Sequence, residues 1–322
     1  MELRVGSMFA GIGGICLGFK RAGAEIVWAN EIDPFACRTY RCNFGGSYLV
    51  EGDVRNVDTI SIPRIDILTA GFPCQSFSVM GYQKGFRDPR GTMYFEILRV
   101  IDEKQPQIVL LENVKNLVQH DNGRTFLTIY NTLAERGYYM KYAVLSADKH
   151  GNIPQIRERI FIVAFLDYAQ LERFRFPDEI PCTKTISNVI NRSKNVLPLY
   201  YYGSASRYFD GLSKRVIDDT AIYRIDDSGI AMKAWKICPT LKANMGTYHD
   251  RVPIIRDAYG IRKLTPYECL ALQGFPRNYK LPNIPIEQIY KQIGNTVCVP
   301  VVERIAQEII KTKIQVGNKS IL

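Results

Sequence analysis

The sequence predicts an α/β protein: a doubly wound, mostly parallel sheet with helices on both faces, joined to a second, smaller domain that is irregular and β-rich. Three observations predict it. Up to Phe165, short apolar runs alternate with longer amphipathic stretches, the rhythm of strands separated by helices. After about Phe176 that rhythm gives way to prolines, tyrosines, serines and glycines. The chain has 322 residues, 46% of them apolar, enough for a sizeable core and more than one compact domain usually holds.

Residues 3–8 read as a strand, 12–21 as a helix and 25–29 as a second strand. Residues 34–43 follow as a helix, with Pro34 suited to the first turn, where its missing N–H has no intrahelical partner. Apolar runs at 65–70, 108–111, 139–145 and 160–165 read as further strands, with helices at 92–103 and 124–135. Beyond 176, Pro177, Pro181, Pro198 and the Tyr200-Tyr201-Tyr202 cluster mark an irregular, β-leaning segment. From Val299 the pattern is helical again, with Val301, Val302, Ile305, Ala306, Ile309 and Ile310 forming one apolar stripe.

Lys and Arg number 42 against 32 Asp and Glu, a net charge of +10 that suits a polyanionic partner without requiring one. The 8 cysteines are scattered with no CxxC pair, and His120, His150 and His249 cluster with none of them, so no zinc site is expected. The N-terminus leads directly into a strand and does not resemble a secretory signal. No stretch reaches the ~20 apolar residues that span a bilayer. These features together read as an intracellular protein with reduced thiols.

Ligands of an open parallel sheet bind beyond the carboxyl ends of its strands, so the residues that follow each strand carry the functional signal. The first strand leads into Phe9-Ala10-Gly11-Ile12-Gly13-Gly14, the second into Asn30-Glu31-Ile32-Asp33, the strand at 65–70 into Gly71-Phe72-Pro73-Cys74-Gln75, and the strand at 108–111 into Glu112-Asn113-Val114. Glycines, an acid, a cysteine and a second acid thus share one edge. The glycine turn admits close approach of a ligand, though a bare strand-to-helix turn has the same composition. Glu31 is placed for two ribose hydroxyls or, alternatively, is a helix-start acid before Pro34. Asp53, after Gly52, is a candidate acceptor for an exocyclic amine. Cys74 is the candidate nucleophile; the bland alternative, an inert buried thiol, is assigned to the other cysteines. Glu112 facing that thiol suits proton work on a ring nitrogen. In Gln155-Ile156-Arg157-Glu158-Arg159, an extended backbone points Arg157 and Arg159 to one side, suited to a phosphate or a ring carbonyl; a solvated charge cluster is the alternative.

These motifs, together with Gln292-Ile293-Gly294-Asn295-Thr296-Val297, occur in the order seen in DNA cytosine-5 methyltransferases, and the chain most resembles the compact bacterial restriction-modification type. Arg90-Gly91-Thr92, Arg262-Lys263-Leu264-Thr265-Pro266 and Gln273-Gly274-Phe275-Pro276 extend the resemblance to nearly the whole chain except roughly 177–236. The resemblance implies a Rossmann-like fold that uses S-adenosyl-L-methionine, with Phe9, Gly11, Gly13, Glu31, Ile32, Asp53, Val54 and Asn295 at the cofactor. It implies that Cys74 adds to cytosine carbon 6, Glu112 engages N3, Arg159 holds O2 and Arg157 supports the same site. Residues 76–90 are then a loop closing over a flipped base. It implies a catalytic domain of residues 1–176 plus 285–322 and a target-recognition domain of 177–284, where Cys238-Pro239-Thr240-Leu241 resembles the family's Thr-Leu element. Arg207, Arg224, Asn244 and Arg251 are candidate readers of bases or phosphates. Where many relatives carry an acid two residues before the motif phenylalanine, this chain has Ser7. The expected partners are double-stranded DNA and a cognate restriction endonuclease, for a monomeric protein of the bacterial cytoplasm. The rival readings are a tRNA cytosine-5 methyltransferase of the same family, a non-catalytic DNA-binding relative and a small-molecule methyltransferase.

Overall fold

The computed structural model describes residues 2–72, 93–225, 236–247 and 251–317. The chain folds as two compact units. The first comprises Met1–Leu145, Glu158–Asp178 and Val301–Leu322, and the second Ser146–Arg157 and Glu179–Pro300.

In the first unit the apolar runs become strands β1 (Arg4–Met8), β2 (Glu25–Glu31), β3 (Leu49–Glu51), β4 (Ile67–Gly71), β5 (Ile108–Val114) and β6 (Tyr139–Ser146). A short β7 (Gln155–Ile156) precedes β8 (Glu158–Phe165). Among the described residues, seven strands form one sheet in the order β3-β2-β1-β4-β5-β8-β6. From β3 to β5 all neighbours are parallel, and β8 runs antiparallel to β5 with Leu111 opposite Ile162. Val5 and Met8 of β1, and Val109 and Leu111 of β5, are buried, as expected of central strands covered on both faces. Each such side chain contributes on the order of 1.5–3 kcal/mol through the apolar surface it removes from water.

The helices fall where the periodicity predicts them. Gly14–Arg21 and Pro34–Phe44 follow β1 and β2, while Met93–Lys104 and Arg124–Ala134 flank β5. Asp33 caps Pro34–Phe44 by accepting from Phe35 N at 2.9 Å and Ala36 N at 3.3 Å, with Pro34 in the first turn. Ile97, Ile101, Ile129 and Leu133 pack with Leu68, Leu111, Ile160 and Ile162 in one core. In the long C-terminal helix Val301, Val302, Ile305, Ala306 and Ile309 of the expected stripe are buried and Ile310 is half-buried. Strand order reverses at β1, with β2 and β3 on one side and β4 and β5 on the other. The crevice between the carboxyl ends of β1 and β4 is therefore the topological switch point.

The second unit is built mostly of short helices and irregular backbone. Its strands are a hairpin, β10 (Ile254–Asp257) with β11 (Gly260–Lys263), and a parallel pair of β7 with β9 (Cys238–Pro239). Leu212, Val216, Tyr223, Ile225, Ile254 and Ile261 form its small core. Within the hairpin Arg262 is fully buried; its Nε meets Asp257 Oδ2 at 2.5 Å, and Nη1 and Nη2 reach the two oxygens of Glu268 at 2.8 Å. Glu268 also completes a capping box with Thr265 at the start of the Pro266–Ala271 helix. No helix among the described residues is long and apolar enough to cross a membrane.

Candidate active site

At the head of β1 the chain turns through three left-handed residues, Phe9 at φ 54°, Gly11 at φ 56° and Gly13 at φ 81°. A Cβ on Gly13 would lie 2.3 Å from the Phe44 ring, so that turn needs glycine for its conformation and for its space. Ala10 N donates to Asn30 O at 2.9 Å and Gly13 N to Ala10 O at 2.8 Å, which locks the turn onto the end of β2.

The Glu31 carboxylate reaches back to this turn. It accepts from Gly11 N at 2.7 Å through Oε2, and from Ile32 N at 2.9 Å and Asp33 N at 2.8 Å through Oε1. Burial raises its pKa above the usual glutamate value, and the N–H groups of Asp33, Gly11 and Ile32 oppose that shift. Helix capping falls to Asp33, not to Glu31. Ile32, beside this acid, is 60% exposed. Asp53 accepts Arg55 N at 3.0 Å and also pairs with the Arg55 guanidinium, whose Nε lies 2.9 Å from Oδ2; this pairing holds its carboxyl below the ordinary aspartate value. Val54 is buried in the core.

Across the switch point, Gly71 of β4 lies opposite Glu112 of β5 in the ladder. Glu112 Oε1 is 3.2 Å from Arg159 Nε, both side chains nearly buried, and Arg159 Nη1 donates to Glu158 O at 2.8 Å. Asn113 donates from Nδ2 to Phe72 O at 2.9 Å and accepts Val114 N at 2.8 Å. Its amide thus extends the β4–β5 ladder one step past Gly71, where the chain heads towards Cys74. Cys74 itself, the 76–90 segment and Arg90-Gly91-Thr92 lie outside the described residues.

Arg157 stands at the break between β7 and β8, within the second unit. Its guanidinium donates to Leu241 O at 2.8 Å, Gly294 O at 3.1 Å and Thr296 O. Arg157 and Arg159 therefore have different partners, because alternation along a strand does not carry through the break. Gln155 works the same seam: Nε2 donates to Leu272 O at 2.6 Å and Oε1 accepts Leu241 N at 3.0 Å. Asn295 is exposed at the end of the Ile286–Asn295 helix. Among the candidate readers, Arg207 and Asn244 are exposed, and Arg207 stacks over Tyr208 at 4.6 Å. Sequence reasoning assigned no role to Asn113 or Arg262. Each stands inside a motif it had noted, and that was the one signal available.

The sheet, with a glycine turn and its acid at the switch point and a carboxylate–guanidinium pair on β5 and β8, defines a doubly wound α/β protein of the kind whose ligands bind beyond the carboxyl ends of the strands. A model of the C-5 cytosine-specific DNA methylase family matches residues 3–311, and the chain belongs to that family. It is 46% identical over 313 residues to the type II methyltransferase M.Bsp6I of Bacillus sp. (strain RFL6), covering 96% of this chain and 99% of that protein. It is 36% identical over 315 residues to M.HhaI of Haemophilus parahaemolyticus, covering 95% and 94%. Among solved structures it resembles a DNMT2 variant of Spodoptera frugiperda (TM-score 0.75, 20% identity, 96% of this chain and 100% of that one). It also resembles the Entamoeba histolytica methyltransferase EhMeth (TM-score 0.73, 21% identity, 97% and 98%). At such identities these two likenesses speak for the fold alone.

Proposed function

We propose that this DNA cytosine-5 methyltransferase works through Cys74, Glu112 and Arg159 on a cytosine flipped out of duplex DNA. The observation that carries the proposal is the Glu112–Arg159 pair, with Glu112 opposite Gly71, three residues before Cys74. Cytosine carbon 5 is a weak nucleophile. The Cys74 thiolate adds to carbon 6 while Glu112 holds a proton at N3 and Arg159 holds O2, so the ring electrons collect at carbon 5. Bound S-adenosyl-L-methionine supplies the electrophilic methyl group that carbon 5 takes up. Loss of the carbon 5 proton to a base then restores the ring double bond and expels the Cys74 sulfur. Extruding the base costs a few kcal/mol, which contacts to the flipped nucleotide must offset.

The residues at the switch point fit that cofactor. Gly11 leaves open space at the turn, Gly13 lets the turn pack against Phe44, Glu31 keeps acceptor capacity on Oε2 for ribose hydroxyls, Ile32 offers an open apolar face to adenine, and Asp53 is an acceptor for its amine. Phe9 and Val54 shape the same edge, and the family resemblance adds Asn295 to the cofactor residues. Arg157 braces the segment that follows Thr240 within the second unit. The second unit selects the target sequence. The type II names of the relatives support a place in a restriction-modification system; the reading adds a cognate endonuclease and takes the protein as a monomer of the bacterial cytoplasm.

Bisulfite sequencing of plasmid DNA from a host expressing the chain reads the modified base and its context together; a tRNA transcript in a parallel reaction gauges the alternative substrate. DNA carrying 5-fluorocytosine blocks the elimination and is expected to trap a covalent adduct that Cys74→Ala does not form. Glu112→Gln is expected to lower the methylation rate about 10²–10⁴-fold. Full activity in Cys74→Ala would defeat the mechanism.

A further inference from the structure

Arg99 sits on the Met93–Lys104 helix, outside every motif noted in the sequence. Its guanidinium nevertheless reaches the backbone next to the adenine-side acid. Nη2 donates to Val54 O at 2.8 Å, Nη1 to Val57 O at 3.0 Å, and Nε to Glu96 Oε2 at 2.7 Å. Val54 and Val57 frame a single helical turn of Val54–Asn56, and Asp53 is its N-cap. The turn's own bonds run from Asn56 N to Asp53 O at 3.0 Å and from Val57 N to Val54 O at 3.1 Å; the guanidinium adds a second donor to the Val54 carbonyl and a donor to the Val57 carbonyl, which lies past the turn's last internal bond. The core settles where the Val54 and Val57 side chains go, since both are buried with Ile97 and Ile101. It does not settle the direction of the carbonyls, and that direction sets how the preceding residue presents its carboxylate. A planar guanidinium grips two carbonyls along fixed directions, and Glu96 keeps it from rotating. Neither a lysine nor an apolar side chain reproduces that grip.

We propose that Arg99 is a positioning residue for the cofactor: by holding the carbonyls of Val54 and Val57 it fixes the turn from which Asp53 meets the adenine amine. The inference rests on the assignment of Asp53 to that amine. Arg99 touches no cofactor atom in this scheme and acts through Asp53. Its loss therefore costs affinity only where Asp53 is present to be misaligned. A role in stability alone would lower affinity equally with or without Asp53.

A double-mutant cycle tests this, with the stable product S-adenosylhomocysteine titrated calorimetrically into full-length protein. Arg99→Met is expected to weaken binding about tenfold in the native background and less than about twofold in Asp53→Ala, the range a misaligned hydrogen bond to a charged group supports. Arg99→Lys, which keeps the charge and the chain length but not the fork, is expected to follow Arg99→Met and serves if the latter folds poorly. Equal weakening in both backgrounds, or no weakening in the native one, overturns the inference while leaving the Asp53 assignment intact. Unchanged affinity in Asp53→Ala alone overturns that assignment and the inference with it.

Discussion

Gly294→Ala adds one methyl group to the second unit, and the structure says what it meets. A Cβ at this position falls 2.2 Å from the Lys242 carbonyl carbon, 2.3 Å from its oxygen and 2.4 Å from Ala243 N. All are backbone atoms, so no side chain can swing aside. Relaxed contacts lie near 3.5 Å, so the Ile286–Asn295 helix and the segment after Leu241 must part by about 1 Å. Arg157 spans the same seam, from Leu241 O on one side to Gly294 O and Thr296 O on the other. Overpacking of this kind costs about 1–3 kcal/mol, and each hydrogen bond to a charged group that is stretched adds about 1.5–3 kcal/mol. With one such bond lost, the expected destabilisation is about 2.5–6 kcal/mol. The control is Gly203→Ala, where a Cβ meets nothing within 4 Å and the backbone is not left-handed. Urea unfolding followed by circular dichroism reads the difference between the two. Hydrogen exchange locates it, with faster exchange expected at Leu241 N, which Gln155 otherwise holds. If Gly294→Ala unfolds within about 0.5 kcal/mol of Gly203→Ala and exchanges no faster, the close backbone approach is not what requires glycine here.

Two further outcomes follow from buried polar groups. Arg262→Met leaves Asp257 and Glu268 facing each other without their cation and is expected to destabilise the second unit by about 3–5 kcal/mol in chemical denaturation; a loss below about 1 kcal/mol would show that the carboxylates find other partners. Burial pushes the Cys37 thiol up to about 12, with the Glu51 and Glu31 carboxylates adding to it, whereas Cys42 is exposed. Alkylation mapped by mass spectrometry should label Cys42 near pH 8 and spare Cys37 in folded protein. Because the folded value lies above the unfolded one, the linked stability is fully present below the ordinary thiol pKa of about 8.5 and is lost as pH rises towards 12. Comparable labelling of both thiols at pH 8 would contradict this.

What the sequence determined by itself is whatever depends on near neighbours. The β1 run at Val5–Met8, the helix start at Pro34 and the stripe from Val301 to Ile309 were legible because periodicity and first-turn preferences act over a few residues, whereas the cap itself fell to Asp33 and not to the Glu31 that the sequence offered. The convergence of Gly11, Glu31, Gly71 and Glu112 was legible for a second reason: parallel strands put all their carboxyl ends on one edge, whatever their order. Tertiary structure alone decided the rest. The order β3-β2-β1-β4-β5 sets the switch point beside β1, and pairing across β5 and β8 brings Arg159 to Glu112. Ile32 and Val54 each follow an acid in the sequence, yet Ile32 faces solvent and Val54 is buried, since only the packed core distinguishes them. Arg99 and Arg262 read as bare charged letters and Arg157 as a companion of Arg159; each owes its role to carbonyls or carboxylates that the folded chain brings within reach of a guanidinium too costly to bury unpaired.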